Sequence, residues 1–186
     1  MAAPYSKSIR DLNGIWPLNK SLSGDINELL RLQDVPWLLR RGIMMSRIAL
    51  HTFQQVDSSG VTTITIHNMA SGGIKGTTET RVVDGDSREH TDYIWGHVKG
   101  LCRFMPTGDT TTDDKLSGDW SEETREGECI VDETSAVDGS WSSVMIKVWG
   151  FEIIDNSRYL VRHVTVKRGN ESSSAKLVYE YNGPTP

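Results

Sequence analysis

The stretch "GDINELLRLQDVPWLLRRGI", Gly24–Ile43, has helical spacing in a chain that otherwise alternates like β-strand. Asp25, followed three positions later by Glu28, has the form of an N-cap and its reciprocal partner, and Ile26, Leu29 and Leu30 then make one apolar face. Pro36 stands where a second helix has its first turn, with Trp37, Leu38, Met44 and Met45 as its apolar positions and Arg40, Arg41 and Arg47 on its more exposed ones. The spacing predicts a helical hairpin over about residues 24–47, turning at "QDV".

Outward from this hairpin the pattern is β. "DLNGIW" reads as a first strand broken by "SLSG". From Ile48 the period is two: "IALHTFQQV", "VTTITIHNMA", "IKGTTETRVVD" and "REHTDYIWGHV" are separated by "DSSG", "SGG" and "DGDS", all good turn chemistry. "GLCRF" follows as a further strand, and "MPTGDTTTDDKLS", residues 105–117, reads as a mobile polar loop. The pattern resumes with "ECIVDETS", "SWSSVMIKVWGFEII", "RYLVRHVTVKR" and "AKLVYEYN". About ten strands joined by sequential turns predict an up-and-down antiparallel sheet closed into a β-barrel. Closure removes exposed edges.

Composition bounds the function. A length of 186 residues predicts one domain, 1–186, able to bury its own core. A net charge of −5 with scattered Lys and Arg argues against a nucleic-acid partner. "MAAPYSKSIRD" lacks the apolar run of a secretory signal, and no run approaches the roughly 20 residues of a membrane span, so a cytoplasmic location without stable membrane insertion is expected. Cys102 and Cys129 are then expected as free thiols, and the Asn-x-Ser matches at Asn19 and Asn170 carry no glycosylation meaning.

A barrel of about ten strands is wider than side chains alone fill, so it encloses a cavity whose open end needs a cover. Two short helices between the first and second strands, with no strand of their own to pair with, are placed to be that lid.

These residues resemble a known family. "LNGIWPLNKSLSGDINELLRLQDVPWLLRRGI" resembles the start of intracellular lipid-binding proteins, where a Gly-x-Trp strand leads into a helix-turn-helix lid, and "LVYEY" resembles their last strand. "GGIKGTTETR", "REHTDYIWGHVKG", "WGFEII" and "RYLVRHVTV" are similar to a group of small fungal calycin-like proteins, the hetero-Diels-Alderases of tropolonic sesquiterpenoid biosynthesis. The resemblance implies a mainly β, lipocalin-like or fatty-acid-binding-protein-like barrel. It also implies a cofactor-free pericyclase: a hydroxymethyl tropolone loses water to a quinone methide, which adds to an alkene of a macrocyclic terpene such as humulenol. Hydrophobic small molecules, tropolone and terpene, are the partners so implied.

The carriers grip a carboxylate with an Arg and a Tyr two positions apart in the last strand. Here Tyr179 stands at the Tyr position and Leu177 at the Arg position. The expectation is a cavity without that cation, suited to a neutral or weakly acidic ring rather than a fatty acid. Tyr93 and Trp95, together with His97, share a face of one predicted strand; Trp149 shares a face with Lys147 and Trp141. Tyr93, Trp95, Trp149, Tyr159 and Leu177 are the candidate substrate wall, although each Trp equally suits plain core packing. Trp16 is structural in the carrier pattern.

Candidate proton donors are His51, His97, His163 and Tyr179. His163 shares a face with Tyr159 and Thr165, opposite Leu160, Val164 and Val166, and a polar-lined pocket favours the His163 face. Each His also suits a hydrogen-bonded or surface role. His90 and His97, seven positions apart, fall on opposite faces of one strand, and no ligand spacing suggests a metal or cofactor. Two other readings stay open: a carrier of a hydrophobic small molecule that performs no chemistry, and a membrane or partner contact through Arg40, Arg41 and Arg47.

Overall fold

The computed structural model describes residues 1–74, 76–110, 119–137 and 143–185. Trp141 and residues 111–117 of the expected loop lie outside them. The chain runs β1 (Gly14–Pro17), α1 (Asn27–Leu32), α2 (Trp37–Met45), β2 (Ile48–Val56), β3 (Thr62–Ala70), β4 (Thr77–Val82), β5 (Arg88–Asp92), β6 (Gly96–Pro106), α3 (Glu122–Arg125), β7 (Glu128–Ala136), β8 (Ser143–Ile154), β9 (Ser157–Arg168) and β10 (Glu171–Tyr179). Among the described residues no helix is long and apolar enough to cross a membrane.

Turn chemistry fixes the registers. The two-residue turn between β8 and β9 places Asp155 and Asn156 at φ 49° and 60°, the left-handed conformation these residues tolerate, and pairs Ile154 with Ser157. Between β2 and β3 the Asp57 carboxylate accepts from the backbone N–H groups of Ser59 (2.8 Å) and Val61 (2.9 Å), with Gly60 at φ 81°.

The ladders form two antiparallel sheets, β1-β2-β3-β4 and β10-β9-β8-β7-β6-β5, instead of the single closed ring expected. On one side the chain beyond β10 stitches the sheets together: Glu180 N donates to Pro17 O, and Asn182 N to Ile15 O. On the other, the backbone hydrogen bonding between the sheets among the described residues is the Val83–Cys102 bridge and its neighbour, Gly85 N to Cys102 O at 2.9 Å. The run "REHTDYIWGHV" is a hairpin, not one strand: β5 stops at Asp92, Tyr93–Trp95 make the turn, and Gly96 at φ 69° starts β6.

The lid is present with altered details. Asp25 does not cap α1; its carboxylate accepts from Asn27 N at 2.8 Å in a local turn, and Glu28 grips Arg31. Leu29, Leu30 and Leu32 are buried against the sheets, each contributing about 1.5–3 kcal/mol. In α2 the expected apolar face is reversed. Trp37, Leu38 and Met45 are exposed, while Ile43 turns inward, because a helix resting on the rim of a hollow buries only the side that meets α1 and the cavity.

Inside, the molecule is layered. The end away from the lid is packed with Trp16, Leu50, Ile64, Ile66, Trp149, Phe151 and Leu160, and the Trp16 indole N–H donates to Leu12 O at 2.8 Å. Outside the six-stranded sheet lies a second apolar layer of Cys129, Val131, Val148, Val161 and Val178. A strap that includes Trp120 and α3 covers it, with Ser121 N donating to Phe151 O at 2.8 Å. Arg158 anchors strap and N-terminus together, pairing with Glu123 and donating to the carbonyls of Pro4 (2.9 Å) and Lys7 (2.7 Å). Residues 105–117, expected as a mobile loop, begin in order: Met105 and Pro106 end β6, and Thr107–Thr110 form a 3-10 turn. Both cysteines are free and buried.

Candidate active site

Beneath α1 and α2 lies a cavity of about 190 Å³. Ile26, Leu29 and Leu30 from the first lid helix, Ile43 from the second, and Ile48, Met145 and Val164 from the strands give it apolar walls. Successive inward residues of β9 show how it is placed: Leu160 belongs to the packed core, Arg162 to the cavity floor, Val164 to its wall, and Val166 to the layer under α1.

The floor is ionic. Arg81 Nε lies 3.1 Å from Asp132 and Arg81 NH2 lies 2.7 Å from Glu79; Lys147 Nζ lies 3.2 Å from Asp132 and 3.8 Å from Glu79. Asn68 donates to Glu79 at 2.9 Å. Burial alone would raise both carboxyls, but Lys147 and Arg81 outweigh it, so Glu79 is held below its ordinary value and Asp132 falls to about 2. Both are therefore anions at neutral pH. Burial raises the Tyr179 phenol, partly offset by the adjacent Arg162, so its proton stays on throughout the neutral range.

Three of the nine residues expected in the site line this cavity: Trp95 at its mouth, Leu177 on its wall and Tyr179 at its floor. Trp149 sits in the packed core below, with the Arg162 guanidinium 3.7 Å above its ring centroid. Tyr93, in the same turn as Trp95, is 48% exposed.

The histidines lie elsewhere. His51 alternates with buried Leu50 and Thr52 and so points away from the interior, opposite His67 on β3. His97 is on the surface, 3.0 Å from Glu89. His163 and Tyr159 face the strap: His163 Nε2 meets Glu152 Oε1 at 2.5 Å, and Tyr159 packs on the second apolar layer. The inward face of β9 is the one with Leu160 and Val164. A polar outer face was the wrong guide here because the strap buries the outer side of the strand and the core buries its inner side.

Sequence reasoning missed Glu79 and Arg162, and it also missed that a cation reaches the cavity. The carriers' Arg position is indeed Leu177, but Arg162 of the neighbouring strand supplies a guanidinium at the floor, correcting the expectation of a cavity without one. Its signal in "RYLVRHVTV" is an Arg in phase with Leu160 and Val164, which is readable only once the inward face is known.

No family model matches the chain. "Probable pericyclase scpY" of Mollisia scopiformis is 32% identical, over 98% of this chain and 96% of its own. "Pericyclase pydY" of Acremonium sp is 24% identical, over 99% and 98%. Solved structures of the same fold include apo lipid binding protein 8 of Caenorhabditis elegans, with a TM-score of 0.59 and 11% identity over 94% of this chain and 98% of that one. The fluorescent protein UnaG gives a TM-score of 0.56 at 18% identity, over 92% and 97%. A Schistosoma mansoni fatty acid binding protein in complex with arachidonic acid gives 0.55 at 12%, over 92% and 96%. These structures share the fold, and the full-length sequence match supplies the kinship: the chain belongs to the calycin-like pericyclase family.

Proposed function

We propose that this chain is a cofactor-free hetero-Diels-Alderase acting, as one cytoplasmic domain, on a tropolone-derived quinone methide and a macrocyclic sesquiterpene alkene such as humulenol. The observation that carries the reading is a lidded, apolar-walled cavity with a protonated, buried phenol, Tyr179, at its base. Trp95 and Leu177 serve as wall, keeping water from the quinone methide and stacking the two partners. Tyr179 donates the proton to the departing hydroxyl. Holding two reactants in register supplies about 7–11 kcal/mol, whereas proton transfer supplies about 10²–10⁴-fold in rate. Positioning therefore dominates, consistent with a floor that carries one neutral acid, Tyr179, among the described residues.

Incubating the purified protein with a hydroxymethyl tropolone and humulenol, and resolving the adduct stereoisomers, tests it. Faster formation and a changed isomer ratio relative to buffer are expected. A rate and ratio equal to those of buffer would overturn the enzyme reading and leave a carrier, to be measured by displacement of a fluorescent lipid.

A further inference from the structure

The ionic layer at the cavity floor does not balance. Glu79 and Asp132 are the two anions; Arg81, Lys147 and Arg162 are the three cations. Arg81 and Lys147 are each within 4 Å of both carboxylates, whereas Arg162, 6% exposed, forms no ion pair within that distance among the described residues. Glu79 acts on Arg162 only at longer range. Its Nε–H is buried without an acceptor. The Trp149 ring lies 3.7 Å from the guanidinium carbon and the Tyr179 ring 5.3 Å from it, so the group rests between flat faces, with a side-chain hydrogen bond to the Tyr179 oxygen and no carboxylate within ion-pair distance among the described residues. The indole N–H of Trp149 is likewise buried without an acceptor. Buried charges and donors are ordinarily paired, and Arg162, which lines the cavity, has a guanidinium with no carboxylate of its own and a buried Nε–H with no acceptor among the described residues.

We infer that Arg162 and Tyr179 form an oxyanion subsite that takes the ionised ring hydroxyl of a planar α-hydroxyketone-type ring. The inference rests on the ring-substrate reading above for the class of ligand, not for the cycloaddition. Two adjacent donors, a guanidinium and a phenol, match two adjacent ring oxygens better than they match the single oxygen of a simple ketone. Binding the anion also primes the dehydration. Once the ring hydroxyl has released its proton to solvent, its electrons push through the ring and break the hydroxymethyl C–O bond. The oxygen leaves as water with the Tyr179 proton, and a proton from solvent restores the phenol.

The test is binding, read without turnover. Tropolone and tropone, which lacks the hydroxyl, are titrated by calorimetry into wild type, Arg162→Gln and Arg162→Lys, and the ionisation of bound tropolone is followed by its ultraviolet spectrum. In wild type, bound tropolone is expected to ionise about one unit lower than free tropolone, a tenfold preference for the anion, and tropone to bind about tenfold more weakly. Arg162→Lys keeps the shift and Arg162→Gln abolishes it. Equal binding of the two rings to wild type, or a shift that survives Arg162→Gln, overturns the inference; the wild-type arm does so even if the Gln variant fails to fold. Octanoate bound as tightly as tropolone with the same Arg162 dependence would make the subsite a carboxylate site and overturn the ring assignment. A tropolone shift without cycloaddition would sink the enzyme reading alone, and cycloaddition without a shift would sink this inference alone.

Discussion

Trp120 stands edge-on over His163, with ring centroids 4.8 Å apart, on the outer side of the six-stranded sheet. The imidazole it covers is 2.5 Å from the fully buried Glu152, which Lys176 also reaches at 3.1 Å. This makes His163 a structural residue of the strap. His163→Ala is expected to cost about 1–3 kcal/mol of stability, because a buried carboxylate loses one partner. Turnover at a permissive temperature should be unchanged. Urea midpoints and initial rates measured on one preparation check both halves; a lost rate with intact stability would return His163 to the chemistry.

Acid should unfold the protein through its ionic floor. Asp132 titrates at about 2 in the fold against its ordinary 3.8, since Lys147 and Arg81 outweigh the effect of burial. A carboxyl so depressed adds stability that is complete above its unfolded value and is lost as pH falls through the folded one. Glu152 is depressed too, with His163 and Lys176 outweighing burial, and adds to the same limb. The melting temperature should therefore decline from about pH 4 downward. Asp132→Asn, which strands Arg81 and Lys147, should lose about 3–5 kcal/mol at pH 7, measured by denaturant titration.

Tyr179→Phe removes the proposed acid together with one of the two donors of the proposed subsite. Deleting the hydroxyl should lower the rate of the dehydrating step by about 10²-fold or more. His51→Ala and His97→Ala, both outside the cavity, should leave that rate within a factor of about two. Single-turnover rates with hydroxymethyl tropolone, compared across the three variants, decide between Tyr179 and a histidine.

Gly150 is where the strap sits closest to the sheet. A Cβ there would lie 2.5 Å from Thr124 Cγ2 and 2.9 Å from the Trp120 ring. Gly150→Ala should push the strap outward, costing about 1–3 kcal/mol through overpacking. It should also raise the binding of a dye that reports exposed apolar surface, since Val131, Val148 and Val161 lie beneath. Unchanged dye binding and stability would mean that the strap yields at no cost.

What the residues foretell about this molecule depends on how many sides of each strand are covered. The strands, their turns and the lid follow from the two periodicities, as in the alternation of Leu50 and Thr52 on β2, where one face is buried. On β9 the rule fails: Val161 and Val164 are both buried, one under the strap and one toward the cavity, so nothing local tells which of Arg162 and His163 points inward. The Tyr93–Trp95 turn was missed because its aromatic residues carry strand propensity and only Gly96 marks it. Trp95 was named for its aromatic face, and Leu177 and Tyr179 through the resemblance; all three line the cavity. Their ionic neighbours lie on four other strands, and that meeting has no local signature.

The mid-height stratum of Glu79, Arg81, Asp132, Lys147 and Arg162 works as a bulkhead. Cohesion is invested on one side of it, around Trp16 and Phe151, and on the other lies the cavity of the proposed function, around Ile43, Trp95 and Leu177. Substitutions in the upper compartment can therefore reshape what is accepted while the foundation stays intact, so a scaffold of this kind can diversify its guests without first acquiring spare stability.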